Sequence, residues 1–525
     1  MEDGVSFETF RSRTAELVDR FDKYREIYRR GGYDESTLRM EYLNPFFKAL
    51  GWDIDNSLGH PPHLREVRVE YPASDGTSSR RADYSFRIGG QDRFVCEAKK
   101  FPEKLDHWHY QVQNYAFNLR LWVSVLTNFD ELDIFVVGGK PNKTKPFSPV
   151  PGWRLYSYNY VDLAQKIWDL LSREAVEAGA LEKFVQHLPK VSSGSGRQLW
   201  LIKPDRNKAV DVEFLGYLEK ERARLARVLV RDNPNRNWDS ESINEAVQRT
   251  IDRLLFQRVC EDRQIDTFQT LQQSVARWHA SGRRQGGLWS DIVSNYPNLR
   301  AAFNGGLYGR KGEKPHFTEK CSIDDAWLEN FIEEIAGEDS SYLFDQIPIE
   351  ILGSVYERFL GSIVDTKGRV SEKPEIRKQG GVFYTPDHVV RFIVEKTIGP
   401  LVAGKSPDQI RKLKIVDPAC GSGTFLIGAL EKLTQACVEY YLAHPKERDP
   451  RAVYVDRNND LRLTSDLKKK LAVNCIYGVD IDPQAVEVAE MSMYLKILEN
   501  ESRSSLNAQR NSFQTKAFFL ISRKI

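Results

Sequence analysis

The chain has 525 residues, which is enough for about three or four domains of ordinary size. Its 76 basic and 74 acidic side chains leave a formal net charge of only +2, so a role in binding nucleic acid would have to rest on local patches. The six cysteines are scattered without a Cys-x-x-Cys pair, the first residues lack the features of a signal peptide, and no apolar run could span a membrane, so we expect a reduced, cytoplasmic protein.

Residues 1–50 have the apolar spacing of two amphipathic helices, and Glu41 falls on the second of them. Pro45 interrupts the second helical pattern, because proline lacks a backbone N–H and is tolerated only in the first turn of a helix. We therefore expect either a kink or the first turn of a new helix at Pro45.

Two alternating runs, residues 80–88 and 92–99, flank a Gly-Gly turn and predict a β-hairpin. Side chains alternate between the two faces of a strand, so Glu97 and Lys99 should point the same way. Counting back through the turn places Asp83 within one residue of the position opposite Glu97. Two carboxylates and an ammonium group then converge, and such a pair of carboxylates could hold Mg²⁺ while the lysine orients or deprotonates a water.

This hairpin resembles the PD-(D/E)xK motif of nucleases, although Ala82 stands where that motif has proline. Such nucleases often carry an acid on an upstream helix, and Gln111 with Tyr115 fits the Q-x-x-x-Y element of nuclease domains in type I restriction subunits. Residues 121–126 and 132–137 are expected to add two strands to the sheet. The resemblance implies a Mg²⁺-dependent nuclease domain. Its implied catalytic residues are Asp83, Glu97, Lys99, Glu41 and Gln111, with Asp83 and Glu97 as the metal ligands.

The chain from about residue 162 to residue 360 is predicted to be mainly helical, after a loop or domain edge at residues 138–151. A capping box is expected at residues 242–245, followed by an apolar face that recurs every four residues from Val247 to Val259. Residues 219–227 mix basic and acidic side chains, a pattern typical of a solvated helix face and also compatible with a face that tracks DNA.

A strand–turn–helix is predicted around the sequence Asp-Pro-Ala-Cys-Gly-Ser-Gly at residues 417–423. A short apolar run ends in Asp417, and Gly421 and Gly423 leave room for a ligand to approach bare backbone before an apolar helix begins. A second apolar run at residues 475–479 ends in Asp480, which at the tip of a neighbouring strand could accept both ribose hydroxyls of a nucleoside cofactor. These features alone are also compatible with a nucleotide-binding α/β domain of another class.

Together with Gly-Gly-Val-Phe-Tyr-Thr-Pro at residues 380–386, these segments resemble the gamma-type adenine-specific DNA methyltransferases that use S-adenosylmethionine. The resemblance implies that Thr385 helps to hold the cofactor's carboxylate, that the turn at residues 417–423 cradles its methionine part, and that Asp480 binds the ribose. The implied cofactor-binding residues are Thr385, Asp417, Pro418, Ala419, Cys420, Gly421, Gly423 and Asp480.

Residues 254–262 and 349–361 resemble the helical connector of type IIG restriction-modification enzymes, in which one polypeptide carries nuclease, connector, methyltransferase and target-recognition domains. We therefore expect an α/β multidomain protein with double-stranded DNA as its partner. The expected parts are a small α/β nuclease-like domain in residues 1–150, an all-α connector in residues 151–375, the start of a doubly wound methyltransferase domain in residues 376–501, and an atypical tail in residues 502–525.

The base-binding Asn-Pro-Pro-Tyr/Phe motif of these methyltransferases does not occur in the 525 residues, and residues 502–525 contain no acidic side chain. Only two strands of the methyltransferase sheet are predicted, near Ile415 and at residues 476–479. The expectation is a truncated chain that does not methylate by itself, or one half of a split enzyme whose second chain supplies the rest. The alternative is a non-catalytic remnant or a cofactor-binding subunit of a split restriction-modification complex.

Overall fold

The computed structural model describes residues 5–30, 33–70, 81–188, 210–263, 265, 268–303, 307–309, 313–337, 340–347, 349, 361–372, 385, 387–456, 460–499 and 520–522. The predicted motif residues at 80, 350–360, 380–384 and 386, and most of the tail at 502–525, lie outside the described residues. No helix of the described part is long and apolar enough to cross a membrane. The chain forms two compact units, residues 1–210 with 457–460 and residues 211–456 with 461–525.

The first unit contains a six-stranded sheet whose strands are hydrogen-bonded in chain order. All neighbouring strands are antiparallel except the third and fourth, which are parallel. The predicted hairpin and the two further strands are present. The strands are β1 (Val67–Val69), β2 (Tyr84–Ile88), β3 (Gln91–Ala98), β4 (Val123–Thr127), β5 (Glu131–Val136) and β6 (Arg154–Tyr156).

Helices cover both faces of this sheet. One face packs against the N-terminal helices and against the helices that follow β6, and it carries the larger hydrophobic core, which includes Phe21, Phe46, Phe86 and Ile167. The other face carries a smaller cluster of Leu105, Val112, Leu126 and Phe135 under the helix that follows β3. The helices are α1 (Phe7–Arg29), α2 (Glu35–Leu38), α3 (Asn44–Ala49), α4 (His109–Asn118), α5 (Ala164–Leu171), α6 (Arg173–Glu177) and α7 (Ala180–Gln186).

The N-terminal helical pattern changes pitch before Pro45. A π-helical turn at Arg39–Leu43 joins α2 to α3, and Pro45 lies in the first turn of α3, as one of the two alternatives predicted. A π-helical turn holds more residues per turn than an α-helix, so the direction of the side chains at residues 39–43 cannot be read from a period of 3.6 residues.

The expectation that residues 151–375 are all-α is wrong at two places. Arg154–Tyr156 pairs with Glu131–Asp133 as the last strand of the first sheet, because Leu155 continues the buried face of that sheet at its edge. Ser362–Val364 and Val370–Glu372 form an antiparallel hairpin, strands β7 and β8. Helices α5 to α7 also belong to the core of the first unit, through Leu171, Val176 and Val185. The domain boundaries themselves stay a prediction.

The helical part of the second unit is built on two long helices and several shorter ones. The predicted apolar face from Val247 to Val259 lies on one of the long helices. Val247, Ile251, Leu255 and Val259 are all buried on one face. The helices before residue 340 are α8 (Val210–Asp232), α9 (Ser240–Asp262), α10 (Leu271–Ala280), α11 (Gly287–Ser294), α12 (Tyr296–Phe303) and α13 (Asp325–Ala336).

Two details of this part differ from the prediction. The N-cap of α9 is Asp239, and Ser242 is the third helical residue that completes its capping box, because the Asp239 carboxylate accepts the Ser242 backbone N–H at 2.8 Å. On α8, Glu221 and Arg222 are buried: Glu221 accepts the Trp327 indole N–H at 2.9 Å, and Arg222 donates to Ser362 Oγ at 2.7 Å. The charged run is therefore solvated only in part.

The C-terminal part of the second unit contains a three-stranded parallel sheet in the order β13-β12-β9, and a two-stranded antiparallel ladder of β10 with β11. The expectation of only two strands in the parallel sheet is corrected by Leu520–Ser522, which pairs with Gly478–Asp480. The strands are β9 (Ile415–Asp417), β10 (Val453–Val455), β11 (Leu461–Leu463), β12 (Ile476–Asp480) and β13 (Leu520–Ser522). The helices are α14 (Asp387–Thr397), α15 (Gly399–Val402), α16 (Pro407–Ile410), α17 (Thr424–Ala443), α18 (Ser465–Cys475) and α19 (Pro483–Leu498).

Candidate functional site

The β2–β3 hairpin brings Asp83 and Glu97 together as the alternation predicted. Tyr84 pairs with Cys96, so Asp83 continues the register opposite Glu97, and its backbone N–H lies 3.3 Å from Glu97 Oε2. Asp83 Oδ2 accepts the backbone N–H of Ala98 at 2.7 Å. The two carboxylates are thus held at the end of the hairpin by backbone groups.

Lys99 and Gln111 both contact the same oxygen of Glu97. The Lys99 ammonium donates to Glu97 Oε1 at 2.7 Å, and Gln111 Nε2 donates to that oxygen at 2.9 Å and to the Tyr115 hydroxyl at 2.7 Å. Gln111 and Tyr115 are one turn apart on α4, which places both on the face that lies over Glu97. Four of the five predicted catalytic residues are therefore neighbours.

The fifth, Glu41, is not among them, and its expected place in the site is corrected. Its side chain is exposed and accepts a hydrogen bond from the Tyr33 hydroxyl at 2.9 Å. Arg39, two residues earlier on the π-helical turn, points toward Asp83, so Glu41 points away. Among the residues that the structure describes, Glu41 makes no contact with Asp83, Glu97 or Lys99.

Two residues that the sequence did not single out complete the site. Arg39 donates to Asp83 Oδ1 at 2.8 Å and to the backbone carbonyl of Glu70 at 2.6 Å, and it lies over the Tyr84 ring. Glu35, one turn before Arg39, lies close enough for Asp83 to raise its pKa, and Glu35 in turn raises the pKa of Glu97. The i, i+4 spacing of Glu35 and Arg39 indicates that they share one helix face, but the same spacing is common on solvated helices and does not point to a site. We refer to Glu35, Arg39, Asp83, Glu97 and Lys99 as the Asp83 cluster.

Burial dominates the electrostatics of this cluster. Burial, with the nearby Asp83 carboxylate, raises the pKa of Glu97 to about 8, although the Lys99 ammonium opposes that shift. Burial also raises the pKa of Asp83 against the effect of Arg39, and burial and Asp83 raise the pKa of Glu35. For Lys99, burial lowers the pKa, but the carboxylates of Glu97, Glu35 and Asp83 together raise it more. Buried carboxylates with raised pKa values are a feature of functional sites.

The donor set fits Mg²⁺ in kind, since carboxylate oxygens are the ligands that this ion prefers. It fits in number only for an ion that keeps most of its waters, because in the described part of the chain no group of three or more His, Cys, Asp or Glu side chains has the arrangement of a metal site. Two carboxylate ligands, Asp83 and Glu97, are compatible with that mode of Mg²⁺ binding.

In the second unit, the strand–turn–helix has the geometry that the sequence predicted. Strand β9 ends at Asp417, α17 begins at Thr424, and the glycines between them adopt positive φ values, +52° at Gly421 and +88° at Gly423. A Cβ on Gly423 would lie 3.1 Å from Ala489 Cβ, whereas one on Gly421 would meet nothing within 4 Å among the described residues. Gly423 therefore lets α19 pack directly against the turn, and Gly421 leaves open space beside it.

Asp480 lies at the carboxyl end of β12, beside this turn. Its Oδ2 accepts the backbone N–H of Gly421 at 2.9 Å, and its Oδ1 accepts that of Asp482 at 2.9 Å. Cys420 donates its backbone N–H to the Val479 carbonyl at 2.9 Å. These bonds tie the turn to the tip of the neighbouring strand, and each carboxylate oxygen keeps a second lone pair for a ligand hydroxyl.

Thr385 is half-buried and stands two residues before the start of α14. Helix α14 packs against α17 so closely that a Cβ on Gly428 would lie 3.1 Å from Val390. Of the predicted cofactor-binding residues, the structure brings together those of the turn at 417–423 and Asp480. It places Thr385 on the chain segment that leads into the helix packed beside the turn.

A glycine turn between strand and helix, tied to an acid at the tip of the adjacent parallel strand, is the arrangement that doubly wound α/β folds use to bind nucleotide cofactors. Residues 348–520 match the family described as N-6 DNA Methylase. The chain is similar in sequence to type II restriction enzyme and methyltransferase proteins, and its C-terminal part is similar to adenine-specific methyltransferases.

Two relatives and one solved structure illustrate this similarity. Over 501 residues, the chain is 29% identical to the type II restriction enzyme and methyltransferase RM.Eco57I of Escherichia coli. The alignment covers 93% of this chain and 47% of that protein. Over 136 residues, it is 28% identical to the adenine-specific methyltransferase PglX of Streptomyces coelicolor. That alignment covers 26% of this chain and 9% of PglX. The type IIL restriction-modification enzyme MmeI in complex with DNA aligns with a TM-score of 0.29 and 16% identity, over 58% of this chain and 40% of that one. The chain thus spans about half the length of RM.Eco57I, from the 47% coverage, and a smaller share of PglX.

Proposed function

We propose that the second unit binds S-adenosylmethionine and takes part in N-6 methylation of adenine in double-stranded DNA. The observation that carries this proposal is the Gly421–Asp480 hydrogen bond, which joins the glycine turn to the strand-tip acid inside the segment that matches the N-6 DNA methylase family. The sulfonium makes the methyl group electrophilic when the cofactor is bound. The protein's contribution is to orient the cofactor: Asp480 would accept the ribose hydroxyls and the open side of Gly421 would receive the methionine part.

Binding of S-adenosylmethionine to the full chain tests this assignment by calorimetry. Asp480→Ala should weaken binding by roughly 10- to 100-fold, because hydrogen bonds to a charged group are lost. Asp408→Ala, which removes an exposed acid of α16, is the matched control and should bind as the wild type does. Unchanged affinity in Asp480→Ala would overturn the ribose assignment.

We further propose that methyl transfer needs a further polypeptide segment, on this chain or on another, which packs beside strand β9 and supplies the base-binding Asn-Pro-Pro-Tyr/Phe motif. The observation that favours a further segment is exposed apolar side chains on β9 and on α14 of this unit. Val416 of β9 is 63% exposed, and Phe392 of α14 is 62% exposed. Uncovered parallel strands are rare because their apolar faces are normally buried on both sides. A cofactor-binding subunit of a split restriction-modification complex is the alternative that fits the same surface.

A methylation assay with labelled methyl groups separates these cases. The purified 525-residue chain alone should not methylate adenine in DNA, and methylation should appear when a polypeptide that carries the motif is added. Methylation by the chain alone would contradict the need for a further segment, and binding of the cofactor without methylation after the addition would favour the non-catalytic subunit.

For the first unit we propose a Mg²⁺-dependent DNA endonuclease centred on the Asp83 cluster, with Asp83 and Glu97 as the residues that would hold the ion. Bound Mg²⁺ would stabilise negative charge on a phosphate. The Lys99 ammonium would orient the attacking water, and Gln111 would hold the Glu97 carboxylate in place through the hydrogen bond at 2.9 Å. This proposal is supported by two contacts of Glu97, which accepts hydrogen bonds from the Asp83 backbone N–H and from the Lys99 ammonium.

Cleavage of plasmid DNA in the presence of Mg²⁺ tests the nuclease. Asp83→Ala and Lys99→Ala should each abolish cleavage by the full chain assembled with its DNA-recognition partner, while circular dichroism shows an unchanged fold. Lys100→Ala is the matched control, since Lys100 is exposed and adjacent to Lys99. Cleavage that survives both substitutions would mean that the hairpin has only a structural role.

A further inference from the structure

The Lys99 ammonium has two neighbours of different kinds. One is Glu97 Oε1 at 2.7 Å, and the other is the face of the Trp108 indole, whose ring centroid lies 4.1 Å from Lys99 Nζ. The Lys99 side chain is only 8% exposed, so water does not compete strongly for the ammonium. A cation over an indole face is attracted by the ring quadrupole, and the attraction is stronger where the cation is desolvated.

Trp108 is held in place by packing. It is the last residue of a 3₁₀ turn, Leu105–Trp108, directly before α4, and it packs against the small cluster of Leu105, Val112, Leu126 and Phe135. Leu126 is the cross-strand partner of Glu97, so the ring and Glu97 lie on the same side of the sheet.

The indole N–H gives no competing reason for a tryptophan at this position. The Trp108 Nε1 atom is buried and has no hydrogen-bond partner among the described residues. A buried indole normally finds an acceptor, and leaving one unpaired costs stability. The position therefore uses the face of the ring and not its polar edge.

We propose that Trp108 is a positioning residue, whose ring face fixes the Lys99 ammonium beside Glu97 for the DNA cleavage proposed above, on which this inference rests. A lysine side chain has four rotatable bonds, and one hydrogen bond to Glu97 leaves the direction of its remaining N–H groups undetermined. The ring blocks one side of the ammonium and leaves the other side for the attacking water.

The same helical segment would then clamp both partners of the pair. Gln111, three residues after Trp108, holds Glu97 Oε1 at 2.9 Å, while Trp108 holds Lys99. Residues three apart lie on one helical face, so a single element sets the separation of carboxylate and ammonium.

Two variants of the full chain test the ring face. Trp108→Phe keeps an aromatic face and Trp108→Leu keeps only apolar volume, and both lack the indole N–H. Acylation of Lys99 by a small amine-reactive reagent is followed by mass spectrometry, with the exposed neighbour Lys100 as internal reference. We expect Lys99 to react roughly three- to thirtyfold faster relative to Lys100 in Trp108→Leu, and to stay close to the wild-type rate in Trp108→Phe.

Cleavage kinetics supply the second readout. In Trp108→Leu the kcat of Mg²⁺-dependent cleavage should fall by a similar factor with KM for DNA unchanged, and Trp108→Phe should restore most of it. Equal Lys99 reactivity in the two variants would overturn the positioning role. A wild-type chain that does not cut DNA in its assembled form, while Lys99 is still protected by Trp108 and by phenylalanine, would instead refute the proposed nuclease and leave the Lys99–Trp108 contact established.

Discussion

Charge in the Asp83 cluster is distributed over three carboxylates and two cations. Arg39 neutralises Asp83 through a bond of 2.8 Å and Lys99 neutralises Glu97 through one of 2.7 Å, which leaves Glu35 as the acid without an ion pair inside the cluster. Burial raises the pKa of Glu35, so its ionised form is disfavoured in this structure. A divalent cation next to the cluster would offset that penalty, and Glu35 is therefore expected to contribute to the affinity for Mg²⁺.

Glu35→Gln should weaken Mg²⁺ binding to the full chain by about three- to tenfold, because one negative charge near the ion is removed. Glu41→Gln is a matched control on the same helical segment and should leave the affinity unchanged, since Glu41 is exposed and bonded to Tyr33. Isothermal titration calorimetry with Mg²⁺ measures both. Equal losses in the two variants would show that the effect is long-range and not specific to the side of the helix that faces Asp83.

These residues also show what a sequence can and cannot predict at this scale. The contact between Asp83, Glu97 and Lys99 followed from alternation along two strands joined by a short turn, which fixes which side chains meet. Glu41 was placed wrongly because a π-helical turn begins at Arg39, and an extra residue in one turn rotates every later side chain away from its expected direction. Arg39 and Trp108 act through contacts distant in sequence, which no local pattern encodes.

At the scale of elements, the turn between β9 and α17 was predictable because its glycines serve a local purpose. The packing of α19 against this turn could not be predicted, because Ala489 of α19 lies 66 residues after Gly423 in the chain. The third strand, Leu520–Ser522, was missed for the same reason, because its pairing with β12 is a long-range contact. Parallel strands joined by long crossovers leave only short apolar runs in the sequence.

Gly423→Ala and Gly421→Ala form a matched pair that tests this turn. Both glycines have positive φ, which costs an alanine roughly 1–2 kcal/mol, but only at Gly423 would the new methyl group meet Ala489 at 3.1 Å. Overpacking adds roughly 1–3 kcal/mol, so Gly423→Ala should lower the stability of the second unit more than Gly421→Ala does. Urea unfolding monitored by fluorescence measures the difference, and Ala489→Gly in the Gly423→Ala background should recover part of it. Equal losses without such recovery would mean that backbone strain alone accounts for both.

Helix α9 carries a buried acid whose titration should affect the stability of the helical part. Both oxygens of Asp252 accept hydrogen bonds from Gln248 Nε2, at 2.8 and 2.9 Å, and Gln248 Oε1 accepts one from Arg222 at 3.1 Å. Asp252 is 3% exposed, and burial raises its pKa to about 7.

Because this folded-state pKa lies above the value of about 3.9 for an unfolded aspartate, the folded chain binds the proton more tightly. The stabilising contribution is therefore complete below about pH 4 and is lost as the pH rises through about 7. Asp252→Asn keeps the shape of the side chain and cannot ionise. Hydrogen exchange of the Ser240–Asp262 helix should be similar in the two chains at pH 5 and slower in Asp252→Asn at pH 8. Faster exchange in the variant at pH 8 would show that the ionised carboxylate is stabilised by Arg222.

At the scale of the whole molecule, the order of an α/β part, a mainly helical part and a second α/β part was predicted from motifs alone, because each motif is local and their order is the order of the chain. The compact units were harder to predict. Residues 154–186 extend the core of the first unit beyond the loop at 138–151, and a glycine- and proline-rich loop on the surface of one unit has the same composition as a linker between two.

Two compact units with separate cores should respond separately to their ligands. S-adenosylmethionine at a hundred times its Kd stabilises the unit that binds it by about 2.7 kcal/mol, which slows hydrogen exchange by roughly a hundredfold at amides that exchange through unfolding of that unit. With this cofactor, slower exchange is expected at residues 415–424 and 476–486, and with Mg²⁺ at residues 83–99. Asp480→Ala should abolish the first response only, and Asp83→Ala the second only. Exchange at residues 83–99 that slows with S-adenosylmethionine as much as at residues 415–424 would contradict this prediction, because it would mean that the two units unfold together.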